Sequence, residues 1–462
     1  LLGCAVGSRR GTSESIWAGS APAALLVAAV AVAAFAQGGF YARGQIAAGA
    51  VLLASFVAAL PIRWARCRDL RFPLVVGGVL AGWMLIRAIA AESSPAGSRE
   101  VMLLVGLAVA LIVSRQLDRD GRRLVSRGLL GVGVVLAIVG WAGVVWRVTP
   151  WALPAEGLWR AASTLTYANA TAAVLVPVAL TGSALLSKRP RSLSLAVVVM
   201  VLLTGVAATM SRAGALALVV GLAVLVIALR RNVIRGLVAP VAGAAVAFVG
   251  LLPSLPATAE PRPWLAVGAL GAGIALTLLL CLPLAPRAVT ALVAASLVVA
   301  ASLGVVVGPP PLRDASALVW DGRASLASPN RSRAASAALR VVADHPLAGV
   351  GPGRVVAETT TSNGRVQVYQ YVHNEYLQVL AELGAVGAVL LAALLLSLAR
   401  LLWRSRSHHA EPELWAGVAA ACAAAAVQAA FDFVWHVPAV PLTVAVLLGL
   451  AIVPAARENR RP

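Results

Sequence analysis

The stretch Tyr371–Gly387, YVHNEYLQVLAELGAVG, decides the fold, because in it a long polar segment runs into an apolar one. From Glu375 onward, Leu377, Leu380, Leu383 and Val386 recur every three residues, the spacing of one helix face. The apolar run continues to about residue 399, long enough to cross a bilayer as a helix. A span is therefore predicted over 377–399, with His373 at its mouth. A histidine at a membrane–water boundary can titrate near neutral pH, accept a proton or hold a ligand.

The same pattern recurs along the chain. Its 462 residues are 60% hydrophobic and 12% charged, with a mean hydropathy of +0.89. A soluble protein of this length cannot hide so much apolar surface, whereas runs of about 18–22 apolar residues match bilayer-crossing helices. Candidate spans fall at 18–37, 45–62, 73–92, 100–115, 128–147, 165–186, 193–210, 214–230, 233–252, 264–283, 287–307, 377–399, 414–431 and 437–454. The predicted fold class is an all-α polytopic membrane protein of about 12–14 transmembrane helices.

A net charge of +20 invites a nucleic-acid reading, but the basic residues sit in short clusters between apolar runs. With the N-terminus inside and the spans alternating, inside segments hold 24 basic residues and short outside segments six. The inside clusters include Arg9/Arg10, Arg63/Arg66/Arg68/Arg71, Arg115–Arg127 and Arg457/Arg460/Arg461. The positive-inside rule thus predicts a multi-pass protein with both termini cytoplasmic and residues 308–376 on the outer face. Three regions follow: an N-terminal membrane bundle (1–307), a large outer loop (308–376), and C-terminal membrane helices with a tail (377–462). One Lys stands against 37 Arg, the bias of a GC-rich bacterial genome. The sequence starts at Leu1 rather than Met, and residues before it are expected. Cys4, Cys67, Cys281 and Cys422 show no disulfide or metal-ligand spacing.

Several polar residues stand out. Arg212 in Met210–Gly214 (MSRAG) lies between two spans, where a charge near hydrocarbon needs a partner or a task. Arg87 lies deeper in its span. The stretch Arg331–Asp344 reads as a helix, with Ala334, Ala338, Val341 and Val342 on one face and Arg333, Ala337, Arg340 and Asp344 on the other. Guanidinium groups such as those of Arg331, Arg333 and Arg340 suit phosphate. Gly349, Gly351 and Gly353 form either a plain turn or a loop whose N–H groups approach an anion. Tyr167, Asn169 and Asp432 lie at predicted outer span ends, where buried polar groups need partners.

Taken in order, Ser211–Gly214 (SRAG), His345–Arg354 (HPLAGVGPGR), His373–Gly387 (HNEYLQVLAELGAVG) and Phe431–Ala439 (FDFVWHVPA) resemble the O-antigen ligase/O-antigen polymerase family of bacterial membrane glycosyltransferases. The resemblance covers about residues 160–450. It implies a GT-C-like helical bundle in the bacterial cytoplasmic membrane, with one large extracytoplasmic loop containing short helices. The implied partners are membrane lipids, a polyprenyl-diphosphate-linked glycan donor and a glycan or lipid acceptor, with no cofactor, no metal and no nucleic acid. His373 matches the family's catalytic His and Arg212 its Ser-Arg-Gly-like motif. Arg331 takes the Arg position of an Arg-x-x-x-Trp motif, with Ala335 in place of Trp and Arg340 as the alternative. Gln428 stands where the family often has a His four residues before the Asp.

The expected reaction is metal-independent, inverting transfer of the glycan to an acceptor hydroxyl at the outer face, in cell-surface polysaccharide synthesis. Arg212, Arg331 and Arg340 are the candidate cations for the leaving diphosphate, and His373 is the base. Gly349, Gly351, Gly353, Asn374, Tyr376, Asn169, Tyr167 and Asp432 are candidate substrate-binding residues, with Glu375 near the acceptor side. The alternative is a small-solute, bicarbonate-like transporter, although the inner spans hold almost no Asp, Glu or His to couple ions.

Overall fold

The computed structural model describes residues 13–61, 68–282, 329–355, 357–360, 366–369 and 371–452. Ten helices come first: α1 (Ser13–Phe35), α2 (Ala42–Ala59), α3 (Arg71–Ala90), α4 (Ser94–Gln116), α5 (Arg119–Trp146), α6 (Ala168–Lys188), α7 (Leu193–Ala208), α8 (Arg212–Leu229), α9 (Arg231–Leu251) and α10 (Pro263–Cys281). After them come α11 (Pro329–Asp344), α12 (Glu375–Ser405), α13 (Pro412–Ala429) and α14 (Ala439–Ala451). Two antiparallel hairpins complete the described chain. Strand β1 (Ala152–Ala155) pairs with β2 (Leu158–Ala161), and β3 (Ala357–Thr360) with β4 (Val366–Tyr369).

Thirteen of the fourteen expected spans coincide with a helix, and the other, 287–307, lies outside the described residues. So do Arg9, Arg10, Arg63, Arg66, Cys4, Cys67, residues 308–328 of the polar loop and the tail arginines. Among the described residues nine helices are long and apolar enough to cross a membrane, and Ser20–Phe35, Leu193–Ala208 and Ala439–Ala451 are apolar but shorter. The chain is an all-α polytopic membrane protein. Large apolar side chains face outward on the peripheral helices, among them Ile46, Ile86, Ile227, Val389 and Leu396. Hydrocarbon solvates such a surface without penalty.

The bundle is built around α6, which is buried along almost its whole length. Its sequence is rich in Ala, Thr, Ser and Val, so neighbouring backbones approach closely. Gly417 of α13 packs so near Thr181 and Ala184 of α6 that an added Cβ would lie 2.9 Å from each. Small residues at such contacts let dispersion hold helices together where lipid removes the hydrophobic drive.

Short turns alternate the helices, so their ends sort to two sides. One side gathers the basic clusters, which are tied by Arg115–Asp69 (2.6 Å), Lys188–Glu413 (3.7 Å) and Arg119–Glu411 (3.6 Å). The other carries the β1–β2 hairpin, α11, the start of α12 and the turn 430–438.

Helix α12 is not continuous. Gly384 takes φ 67° and ψ −169°, which splits it into two helical pieces. The segment His345–Arg354 inserts at this break. Val350 and Gly351 donate to the carbonyls of Ala381 (3.0 Å) and Glu382 (2.8 Å), while the Ala385 and Val386 N–H groups donate to Pro346 (2.8 Å) and Leu347 (3.3 Å). Breaking a helix frees backbone donors and acceptors, and here the loop satisfies both sets. Gly349 (φ 65°) and Gly384 lie where any Cβ would run into the opposing backbone. Either glycine changed to Ala is expected to destabilise the protein by ~1–3 kcal/mol, because an L side chain is strained at positive φ. Thermal melting of the detergent-solubilised variants checks this; an unchanged melting temperature would show the junction to be plastic.

Candidate active site

The site grows from Asp432, which is fully buried in the turn between α13 and α14. A buried carboxylate must be hydrogen-bonded or neutralised. Five residues supply its partners. Tyr167, just before α6, donates its hydroxyl at 2.7–2.8 Å. Asn169, in the first turn of α6, donates through Nδ2. Arg331, near the start of α11, places a guanidinium nitrogen 3.5 Å from Oδ2. His373, ahead of α12, holds Nδ1 3.0 Å from Oδ1. The Phe433 N–H closes the turn at 2.9 Å.

Burial pushes the Asp432 carboxyl up, but His373, Arg331 and Tyr167 outweigh it and hold the group below its ordinary value. Burial pushes the Tyr167 phenol well up, reinforced by the carboxylate, so it stays a donor. His373 has φ 56°, an uncommon left-handed conformation for a residue with a side chain. Strain of this kind concentrates where surrounding contacts fix a functional geometry.

Those contacts are explicit. Asn374 caps α12, its side chain accepting from the Leu377 N–H at 3.0 Å. One residue before His373, the Val372 N–H donates to Gln378 Oε1 at 2.9 Å. Gln378 in turn donates to Glu382 at 2.6 Å, and Glu382 accepts the Gly353 N–H at 3.1 Å. Arg87 lies in the last turn of α3, not deep in its span, and donates to the Gly349 carbonyl at 2.9 Å. Gly349, Gly351 and Gly353 therefore support α12 and, through Gln378, the His373 backbone. The Gly351 and Gly353 N–H groups bond to Glu382, and that of Gly349 to the His345 carbonyl.

The other expected residues separate. Arg331 joins Asp432, whereas Arg340 is exposed farther along α11. Ala337 is buried with Ala334 and Ala338, not on the solvent face expected for it; α11 packs against both α12 and β3. Tyr376 donates to the Ala426 carbonyl at 2.9 Å and packs edge-on against Trp435, so it braces α12 against α13. Glu375 is buried against His436 at 3.1 Å, inside the protein rather than at an acceptor surface. Arg212, at the start of α8, pairs with Glu156 at 3.4 Å.

Arg160 is the residue that sequence reasoning missed. It projects from β2, donates to Asn169 Oδ1 at 2.6 Å and to the Thr209 carbonyl at 3.0 Å, and so ties α7, β2 and the Asp432 cluster together. Burial lowers its guanidinium from the ordinary value, opposed by Tyr167, Glu156 and Asp432. Only its place outside the inside clusters marked it in the sequence. Gln428 donates to the Asn169 carbonyl at 2.9 Å, stiffening the same corner.

The fold and this cluster define a polytopic membrane protein with a half-buried histidine and an arginine on a buried aspartate at one end of its bundle. A family model described as O-Antigen ligase matches residues 254–392. The match supports assigning the chain to the O-antigen ligase/polymerase family, and with it a part in cell-surface glycan biosynthesis. It includes the glycine segment and His373, while Arg212, Tyr167, Asn169 and Asp432 lie outside it. It does not favour the transporter alternative. No curated protein matches the chain.

The depressed Asp432 group contributes stability that is present above an ordinary aspartate value and is lost as pH falls through the lower folded value. Asp432→Asn is therefore expected to melt below wild type at neutral pH, with the gap closing as pH falls below about 4. Melting curves of both proteins across that range test the assignment. A gap independent of pH would mean that the carboxylate charge contributes nothing.

Proposed function

We propose that the protein transfers a glycan from a polyprenyl-diphosphate lipid to an acceptor hydroxyl at the outer face of the cytoplasmic membrane. The observation that carries this reading is the His373–Asp432 contact at 3.0 Å, with Arg331 3.5 Å from the same carboxylate. With Asp432 ionised, the proton of His373 sits on Nδ1 and donates to it. Nε2 is then the free acceptor. This is the orientation that a general base needs.

In the proposed step the acceptor oxygen attacks the anomeric carbon of the donor as its proton passes to His373 Nε2. The bond from that carbon to the diphosphate oxygen breaks on the opposite side, and the electron pair leaves on the polyprenyl diphosphate. Attack opposite the leaving group inverts the anomeric centre. Charge grows on the diphosphate as the bond breaks, so fixed guanidinium groups stabilise the transition state more than the ground state. Arg331 shares the Asp432 carboxylate with His373, and Arg160 and Arg212 lie on the same side of the bundle. The orientation rests on the basic clusters, which the positive-inside rule places in the cytoplasm, opposite the site.

A host deleted for the gene is expected to accumulate lipid-linked glycan, cleared by wild type and by Arg340→Ala but not by His373→Ala or Arg331→Ala. Loss of the base is expected to slow transfer by about 10²–10⁴-fold. Clearance by His373→Ala would place the base elsewhere, and no accumulation in the deletion would remove the donor assignment. Transfer in membrane vesicles is expected to persist in excess EDTA, since guanidinium groups supply the positive charge.

A further inference from the structure

The turn from Asp432 to His436 meets the start of α12 twice. On one side the carboxylate of the turn holds the imidazole of the α12 segment, Asp432 to His373, at 3.0 Å. On the other the roles are exchanged, with the α12 carboxylate of Glu375 holding His436 Nδ1 at 3.1 Å. Glu375 is 1% exposed, and its other bond is from the Trp435 N–H in the same turn. Among the described residues its cationic partner is His436.

The two contacts flank one stack of rings. Phe433 lies nearly parallel between Tyr167 (5.2 Å) and Tyr371 (4.6 Å). His373 sets its ring edge-on to Phe433 at 5.0 Å, and His436 lies against Tyr371 at 4.7 Å. The turn is short, so a shift at His436 moves Phe433 and, one residue before it, Asp432.

We propose that the Glu375–His436 pair is a positioning clasp that fixes this turn against the start of α12, so that the Asp432 carboxylate stays on His373 Nδ1. The proposal rests on the reading of His373 as the base. Neither member of the clasp has to touch substrate. A buried ion pair holds when both members are charged and hydrogen-bonded, and removing one member leaves the other charge buried alone.

The groups that face His436 are Glu375 and Glu382 from α12, Glu100 from α4 with Arg99 beside it, and the Tyr371 ring. Burial disfavours the imidazolium, but Glu375, Glu382 and Glu100 outweigh it and push the group up to about 9. A raised histidine keeps its pair at neutral pH and loses it as pH rises through the folded value. The clasp therefore opens on the alkaline side.

The test is glycan transfer in membrane vesicles of the deletion host carrying wild type, His373→Ala, His436→Gln, Glu375→Gln or the double glutamine variant. Extracted lipid-linked glycan is added at graded concentrations across neutral to alkaline pH, and rates are divided by the amount of folded protein. Wild-type kcat is expected to fall as pH passes about 9. Each single glutamine variant is expected to lose kcat about ten- to a hundredfold at neutral pH, with the KM for donor nearly unchanged and the alkaline fall gone. The double variant is expected to recover part of that loss, because no lone charge stays buried. His436→Gln with wild-type kcat and an unchanged alkaline fall, beside an inactive His373→Ala, overturns the clasp alone. A drop in folded protein with unchanged kcat per folded molecule also overturns it. A fully active His373→Ala instead removes the base assignment, and the clasp falls with it.

Discussion

One buried negative charge organises this end of the molecule. Asp432 has no exposure to solvent, and a carboxylate in that position is tolerated only when its oxygens are filled by donors and cations. Tyr167 and Asn169 reach it from the start of α6, Arg331 from α11 and His373 from the entry to α12. Segments far apart in the chain are thereby brought to one point. The His373–Tyr167–Asn169 arrangement is set by what Asp432 requires as well as by what a reaction would require. This double demand explains how an unusual backbone angle at His373 persists, since the neighbouring contacts determine it from several sides.

Support for His373 comes from the break in α12. The glycine segment enters the gap at Gly384 and exchanges hydrogen bonds with both helical halves, so an interruption that would expose backbone polar groups becomes a rigid junction. From that junction a relay of Gly353, Glu382 and Gln378 reaches the Val372 backbone. Arg87 and Trp83 of α3 fasten the same junction from outside, donating to the Gly349 and Leu383 carbonyls at 2.9 Å each. A charge inside a span and a glycine-rich turn, which look unrelated in sequence, belong to one structure.

The two sides of the bundle have different electrostatics. The basic side is held by ion pairs between helix ends, together with Arg122 and His409, which reach the Leu450 carbonyl. Such contacts tie connections to the bundle, and beside them Trp403 packs against Trp415 with the Arg406 guanidinium over its ring. On the other side the charges around Asp432 join its buried carboxylate through hydrogen bonds and ion pairs, with stacked rings among them. In that low-dielectric setting each charge acts more strongly on its neighbours than it would in water. On the proposed reading this is the side on which a diphosphate leaves and a hydroxyl loses its proton.

The helices of the described residues were legible in the sequence, because hydrocarbon imposes a length and a composition on any segment that crosses it. Every expected span within the described residues is a helix, and His373 does stand at the mouth of α12. The sequence also marked Asp432, Tyr167 and Asn169 as polar groups needing partners, and Arg331 as a candidate cation. It could not pair them, since contacts between residues far apart in the chain, 265 positions for Tyr167 and Asp432, depend on how the helices pack. Helical spacing likewise gave no sign that α12 breaks at Gly384, because the apolar pattern continues across the break. Arg160 stayed hidden in a short hairpin with no pattern of its own, and Glu375 and His436 carried no sign that they would meet. Periodicity and charge placement are local properties and were decided by the chain itself; the meeting of acid, base and cation around Asp432 is a property of packing, and only the tertiary structure decided it.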